Sequence, residues 1–158
     1  MILKLNTPKM FNLFKKREPP DPRDLEQIIY DIAENKIDRD FHILYERMSN
    51  RHVFVPVDPT TVPVEATEGK KYVTTSTDRL RMRTVIGPNN LVLVPCATNE
   101  ESMLLKDGYL GMDWFDFLEM FMKLDTSFYG VVLQGKTSWV VFDRDRTKYI
   151  LSLRSANK

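Results

Sequence analysis

Residues 90–99 read NLVLVPCATN, and how this stretch is read decides the fold. Leu91-Val92-Leu93-Val94 is an unbroken aliphatic run, short and β-branched enough for a buried strand. Pro95 is expected to end it, because proline has no N–H to give to a sheet ladder. Thr98 or Asn99 is then placed to cap a helix over residues 99–106, with Glu100 and Glu101 near its positive N-terminal end. Just upstream, residues 79–85 alternate charged and apolar side chains, the pattern of a strand with one wet face, and Gly87-Pro88-Asn89-Asn90 is a turn. Strands 79–86 and 91–95 are thus expected to form an antiparallel hairpin.

Further towards the N-terminus, Leu25, Ile28, Ile29 and Ile32 mark one face of a helix capped by Asp24 and broken at Asn35-Lys36. Phe41, Leu44, Tyr45 and Met48 repeat the spacing in a second helix begun by Asp38, so the two make a helical hairpin. Val53-Phe54-Val55 is a strand, and residues 58–78, with Pro59, Pro63 and Gly69, a long polar loop. Downstream, Gly108 closes the 99–106 helix and Asp113 caps an apolar helix over 114–124. Residues 128–133 and 139–142 are strands joined at Gln134-Gly135-Lys136, and residues 149–153 alternate as a last edge strand. The fold class expected is α+β: a largely antiparallel sheet with an N-terminal helical hairpin and two further helices packed on it. Residues 23–158 are one domain, and residues 1–22, with mixed apolar and basic residues and a closing Pro19-Pro20-Asp21-Pro22, a flexible leader. The leader lacks the continuous apolar core of a secretory signal, and Met10 is an alternative start of translation.

Composition narrows function mainly by exclusion. The net charge of +1 lacks the basic excess that marks nucleic-acid binders, and no apolar run approaches the length of a membrane span. The single Cys96 forbids an intramolecular disulfide and fits a reducing compartment. Charge is unevenly distributed, with a net −5 over residues 91–130 and +4 over residues 131–158. Either these segments neutralise each other, or Asp107, Asp113, Asp116 and Glu119 form an acidic face that steers a cationic partner. Arg79, Arg81 and Arg83 line one strand face as a second partner-binding candidate, although no aromatics interleave with them as in RNA-binding surfaces.

Catalytic patterns are sparse. Cys96 near a helix start and His52 at the head of a strand could meet as nucleophile and base in a cysteine-dependent hydrolase, without a third group at a telling spacing. His42 and His52 have no metal-ligand spacing, and Asp143-Arg144-Asp145-Arg146 begins like a calcium loop but lacks the glycine and distal glutamate, which leaves a charged hairpin turn. No phosphate-cradling glycine loop is present, so no metal or cofactor is expected.

The order of FHILYERMSN, RHVFVPV, a long loop, LVLVPCATNEE, an acidic aromatic helix and Gly130-Val131-Val132-Leu133 resembles the N-terminal domain of the enhanced serine sensitivity (SseB) family over about Asp24–Phe142. The sequence departs from that pattern at Ala97, where the family has Phe, and at Gln134-Gly135, where it has Asn-Pro; the second domain that often follows is missing. The resemblance implies a small bacterial cytoplasmic domain and supplies no catalytic residue. The function expected is a non-enzymatic protein-interaction domain, one form of which is an immunity protein neutralising a basic interbacterial toxin.

Overall fold

A computed structural model of the chain describes residues 19–63, 65 and 80–156. It is an α+β fold of four helices on one face of a six-stranded, mostly antiparallel sheet. The elements are α1 (Leu25–Asn35), α2 (Asp40–Met48), β1 (His52–Pro56), β2 (Val85–Ile86), β3 (Val92–Ala97), β4 (Tyr109–Asp113), α3 (Trp114–Met122), β5 (Phe128–Gln134), β6 (Trp139–Asp143) and α4 (Arg144–Ala156). The strand order is β4-β1-β3-β5-β6, with β2 also paired to β3. The central β3–β5 pair is parallel, and the other pairs are antiparallel.

Period-two alternation sends Val53, Val55, Val94, Cys96, Val131, Leu133, Val140 and Phe142 to the helical face. There they meet Ile28, Ile29 and Ile32 of α1, Leu44 and Met48 of α2, Trp114, Phe117, Leu118 and Phe121 of α3, and Ile150 of α4. Asp24 caps α1 by accepting from the Gln27 N–H, and Asp113 caps α3 by accepting from Phe115 and Asp116, as their positions before apolar runs imply. Glu26 fixes α1 against the sheet: it accepts from the Thr98 hydroxyl (2.7 Å) just beyond β3 and from the Lys136 N–H (2.6 Å) just beyond β5.

Several expectations are corrected. Pro95 does not end β3, which runs on to Ala97. On one side β3 pairs with β5 along its length, with a register shift between Val92 and Leu93; on the other it meets β2 at Val92–Leu93 and β1 at Ala97, and Pro95 falls in the gap between those two. No α-helix follows. Asn99 accepts from the Glu101 N–H, and only a 3-10 turn at Met103–Leu105 forms, because three consecutive apolar residues give no helical stripe. The β4 strand, with Gly111 at its centre, was not anticipated. The arginine-bearing strand shrinks to Val85–Ile86 and a single Met82–Val57 bridge, so the hairpin with β3 is two pairs long.

The largest correction is at the C-terminus. Asp143 does not open a hairpin turn but ends β6 directly before α4, and residues 149–153 are not an edge strand but part of α4. Asp143 Oδ1 accepts from the Arg146 N–H (2.8 Å) and its carbonyl from the Thr147 hydroxyl (2.8 Å). Thr147, Ile150, Leu151 and Arg154 then supply the inward stripe at helical spacing. The last residues before α1 contact the helical hairpin. Asp21 is held by the Arg23 guanidinium (2.7 Å), and its carbonyl accepts from Arg47 (2.6 Å). Arg23, the first residue of the expected domain, reaches on to Asp31 of α1 (2.6 Å) and Asp40 of α2 (2.8 Å) and so pins the helical hairpin. Residues 1–18 and most of the 58–78 loop lie outside the described residues.

Candidate functional site

The geometry separates the cysteine–histidine pair. Phe54 lies opposite Ala97 in the antiparallel β1–β3 ladder, so Cys96 shares the core face with Val53 and Val55, while His52 shares the other face with Phe54. Cys96 is fully buried, and burial pushes its thiol well above the ordinary range, which suppresses the thiolate a nucleophile requires. His52 is exposed at the end of β1. The two are not brought together.

The charged candidates are drawn into local pairs. Asp107 pairs with Arg83 (3.1 Å), and Arg154 of α4 bridges Asp116 (3.6 Å) and Glu119 (2.9 Å) of α3 while lying over the Phe115 ring. Asp113 is occupied as a helix cap. Acid from residues 91–130 thus meets base from 131–158 within the fold. Arg81 is exposed, with its backbone tied to Asp58 and Thr61, and Arg79 lies outside the described residues. Among the described residues no three histidines, cysteines or carboxylates converge as metal ligands. No described helix is long and apolar enough to cross a membrane.

A different surface emerges at the sheet edge formed by β6. Residues 144–156 being a helix, no strand follows among the described residues, and β6 ends the sheet they form. At the β5–β6 turn the Gly135 N–H donates to the Ser138 carbonyl (2.8 Å), which sets the alternation of bonded pairs along the ladder. Leu133–Val140 and Val131–Phe142 are bonded pairs; Trp139 and Val141 turn their N–H and C=O groups away from β5. Among the described residues these four groups have no hydrogen-bond partner.

Two cavities flank this edge, and Trp139, itself 52% exposed, lines both. The first, about 570 Å³, opens between β6 and the α1–α2 turn, with Ile32, Ala33, Phe41 and Val140 as apolar lining and Glu34, Lys36 and Asp38 exposed on its rim. Arg146 holds one wall. Its guanidinium carbon sits 3.6 Å above the Phe41 ring, whose negative face receives the charge, and its buried Nη1 has no hydrogen-bond partner among the described residues. The second cavity, about 290 Å³, lies on the open sheet face between Ile86, Pro88, Leu93, Leu104 and Val132. Exposed Ile86 and Met103 extend the apolar character of that face.

Sequence reasoning missed this surface. Its signal was a tryptophan directly after a tight turn, heading the five-residue strand WVVFD, and it was masked by the edge strand expected at 149–153. No family model, curated protein or solved structure matches the chain.

Proposed function

We propose that this chain is a non-enzymatic, cytoplasmic protein-interaction domain, related to the SseB N-terminal domains, that engages its partner through the surface centred on Trp139. The observation that carries the reading is a half-exposed tryptophan on an unpaired sheet edge, set between two cavities with apolar linings. Large aromatics in such positions anchor interfaces, because they bury much area at little conformational cost. The separation of Cys96 from His52 supports a binding role over the hydrolase alternative. Neutralising an interbacterial toxin is one activity this domain could serve. Such an inhibitor would dock through Trp139, since Asp107, Asp116 and Glu119 already face arginines of the same chain and Asp113 is a cap.

The test is a partner captured from the host and then purified. Trp139→Ala is expected to weaken its binding by at least about tenfold, as loss of a central aromatic anchor does. Asp116→Lys with Glu119→Lys should leave the association rate within roughly twofold, because charge steering is not the basis of docking. Unchanged affinity in Trp139→Ala would place the docking surface elsewhere.

A further inference from the structure

Strand edges, cavities and charge around Trp139 carry one step more, which rests on the docking reading above. We propose that β6 takes an extended peptide segment of the partner as an added strand, with a basic side chain of that segment seated between Glu34 and Asp38.

The backbone argument comes first. The outward N–H and C=O groups of Trp139 and Val141 recur at every second residue, the spacing that an extended chain matches with its own backbone. A side chain or a helix cannot satisfy such a row; a strand can. The other free edge, β4, is less suited. Its central residue is Gly111, which offers no side chain to pack, and neither of the two cavities borders it.

Side chains of an added strand would alternate between the two faces. On the helical side they would enter the larger cavity, which exists because α1 stops at Asn35 and Lys36, in a left-handed conformation (φ 55°), carries the chain away from β6. Ile32, Phe41 and Val140 would take an apolar residue there. The rim favours a cation next to it: Glu34 and Asp38 outnumber Lys36, Arg146 is turned onto Phe41, and the last turn of α1 holds no basic residue to offset its negative dipole end. This charge also argues against a second copy of the chain as occupant, since β6 itself brings only Asp143 as a charged side chain.

The probe is the peptide acetyl-TVTKTVT-amide, whose Val and Lys side chains share one face at every second residue, added to the full-length chain and followed by amide hydrogen exchange. Binding is expected to slow exchange of the Trp139 and Val141 amides by at least about tenfold. The acidic version acetyl-TVTETVT-amide should bind at least about fivefold more weakly, with the difference shrinking in high salt. Val141→Pro removes an outward N–H that β5 does not use, and proline is tolerated at such edge positions, so the melting temperature should hold while peptide binding is lost. If that variant fails to fold, a peptide N-methylated at alternate residues decides with the wild-type chain, because it presents no donors to β6. Strand addition is overturned if the peptide does not bind, if Val141→Pro or N-methylation leaves binding unchanged, or if protection appears on β4 instead. It is also overturned if sedimentation shows β6 occupied by a second copy of the chain. With the captured partner, loss in Trp139→Ala without loss in Val141→Pro would refute strand addition yet keep the docking surface. No loss in either would refute both.

Discussion

Truncating Phe121 to alanine tests the placement of α3 on the sheet. The ring is fully buried, and the Arg144 guanidinium lies 4.8 Å from its centroid. Removing it takes on the order of 120 Å² of apolar surface out of the core, about 3 kcal/mol at 25 cal/mol/Å². A residual cavity adds to this, since α3, β5 and α4 hold one another apart and cannot fully collapse, and the total falls at about 3–5 kcal/mol. For a chain of this size that corresponds to a fall of roughly 10–15 °C in melting temperature. Arg144 sharpens the test. It donates to the carbonyls of Leu124, Asp125 and Phe128, so it is held over the ring by the α3–β5 connection. Urea melts of Phe121→Ala, Arg144→Met and the double variant should give a coupling of about 0.5–1 kcal/mol, the usual size of a cation–π contact. A single-variant loss below about 1 kcal/mol would show that α3 does not bury this face, and the packing argument would fall.

Three further outcomes follow from the same structure. Cys96 should resist iodoacetamide in the folded protein at pH 8 and react only under unfolding conditions, since burial both shields the thiol and raises its pKa; ready alkylation of folded protein would contradict the β3 assignment. Gly130→Ala should destabilise by about 1–3 kcal/mol in urea melts, because the added Cβ would overlap the Phe142 carbonyl oxygen across the β5–β6 ladder. Arg23→Met should lower stability at neutral pH, with the difference from wild type closing as pH falls from about 4 towards 2. The sign follows from hydrogen bonds to Arg23, which hold Asp21 at about 2 and lower Asp31 from the ordinary 3.8. A carboxylate with a depressed folded pKa stabilises above its unfolded pKa and loses that contribution on acidification, so parallel pH–stability curves would refute this role for Arg23.

What was legible in the sequence is what local physics decides. The α1 and α2 stripes, the Asp24 and Asp113 caps, the β5–β6 hairpin and the apolar face of α3 all repeat at short spacing, and the structure buries them as the pattern implies. Misreadings arose where non-local pairing overrides a local rule. Pro95 looks like a strand terminator in isolation, yet β3 tolerates it because β1 and β2 share that side of the strand without either pairing at residue 95. β4 carries a central glycine and few β-branched residues, and it is a strand because β1 supplies five paired positions beside it. Likewise, the acidic and basic segments cancel through Arg154, whose position over α3 depends on α4 being a helix.

The candidate site was hidden by one such error. Residues 147–153 read TKYILSL, in which Tyr149, Leu151 and Leu153 alternate like a strand while Thr147, Ile150, Leu151 and Arg154 recur like a helix. Asp143 decides between them: a carboxylate directly before Arg144, with an N–H to accept three residues on, starts a helix at once and leaves no room for a turn back to the sheet. Choosing the strand would have paired β6 on both sides and made Trp139 an ordinary interior residue. Choosing the helix leaves β6 at the edge, its alternate backbone groups facing outward and its tryptophan between two cavities. An exposed edge bearing tryptophan and valine, with no proline or lysine in its five residues, lacks the devices by which sheet proteins block edge-to-edge association. Such an edge is either an aggregation hazard or a binding surface, so a single sedimenting species of monomer mass at high concentration is the outcome expected if a partner strand, and not a second copy, is what covers β6.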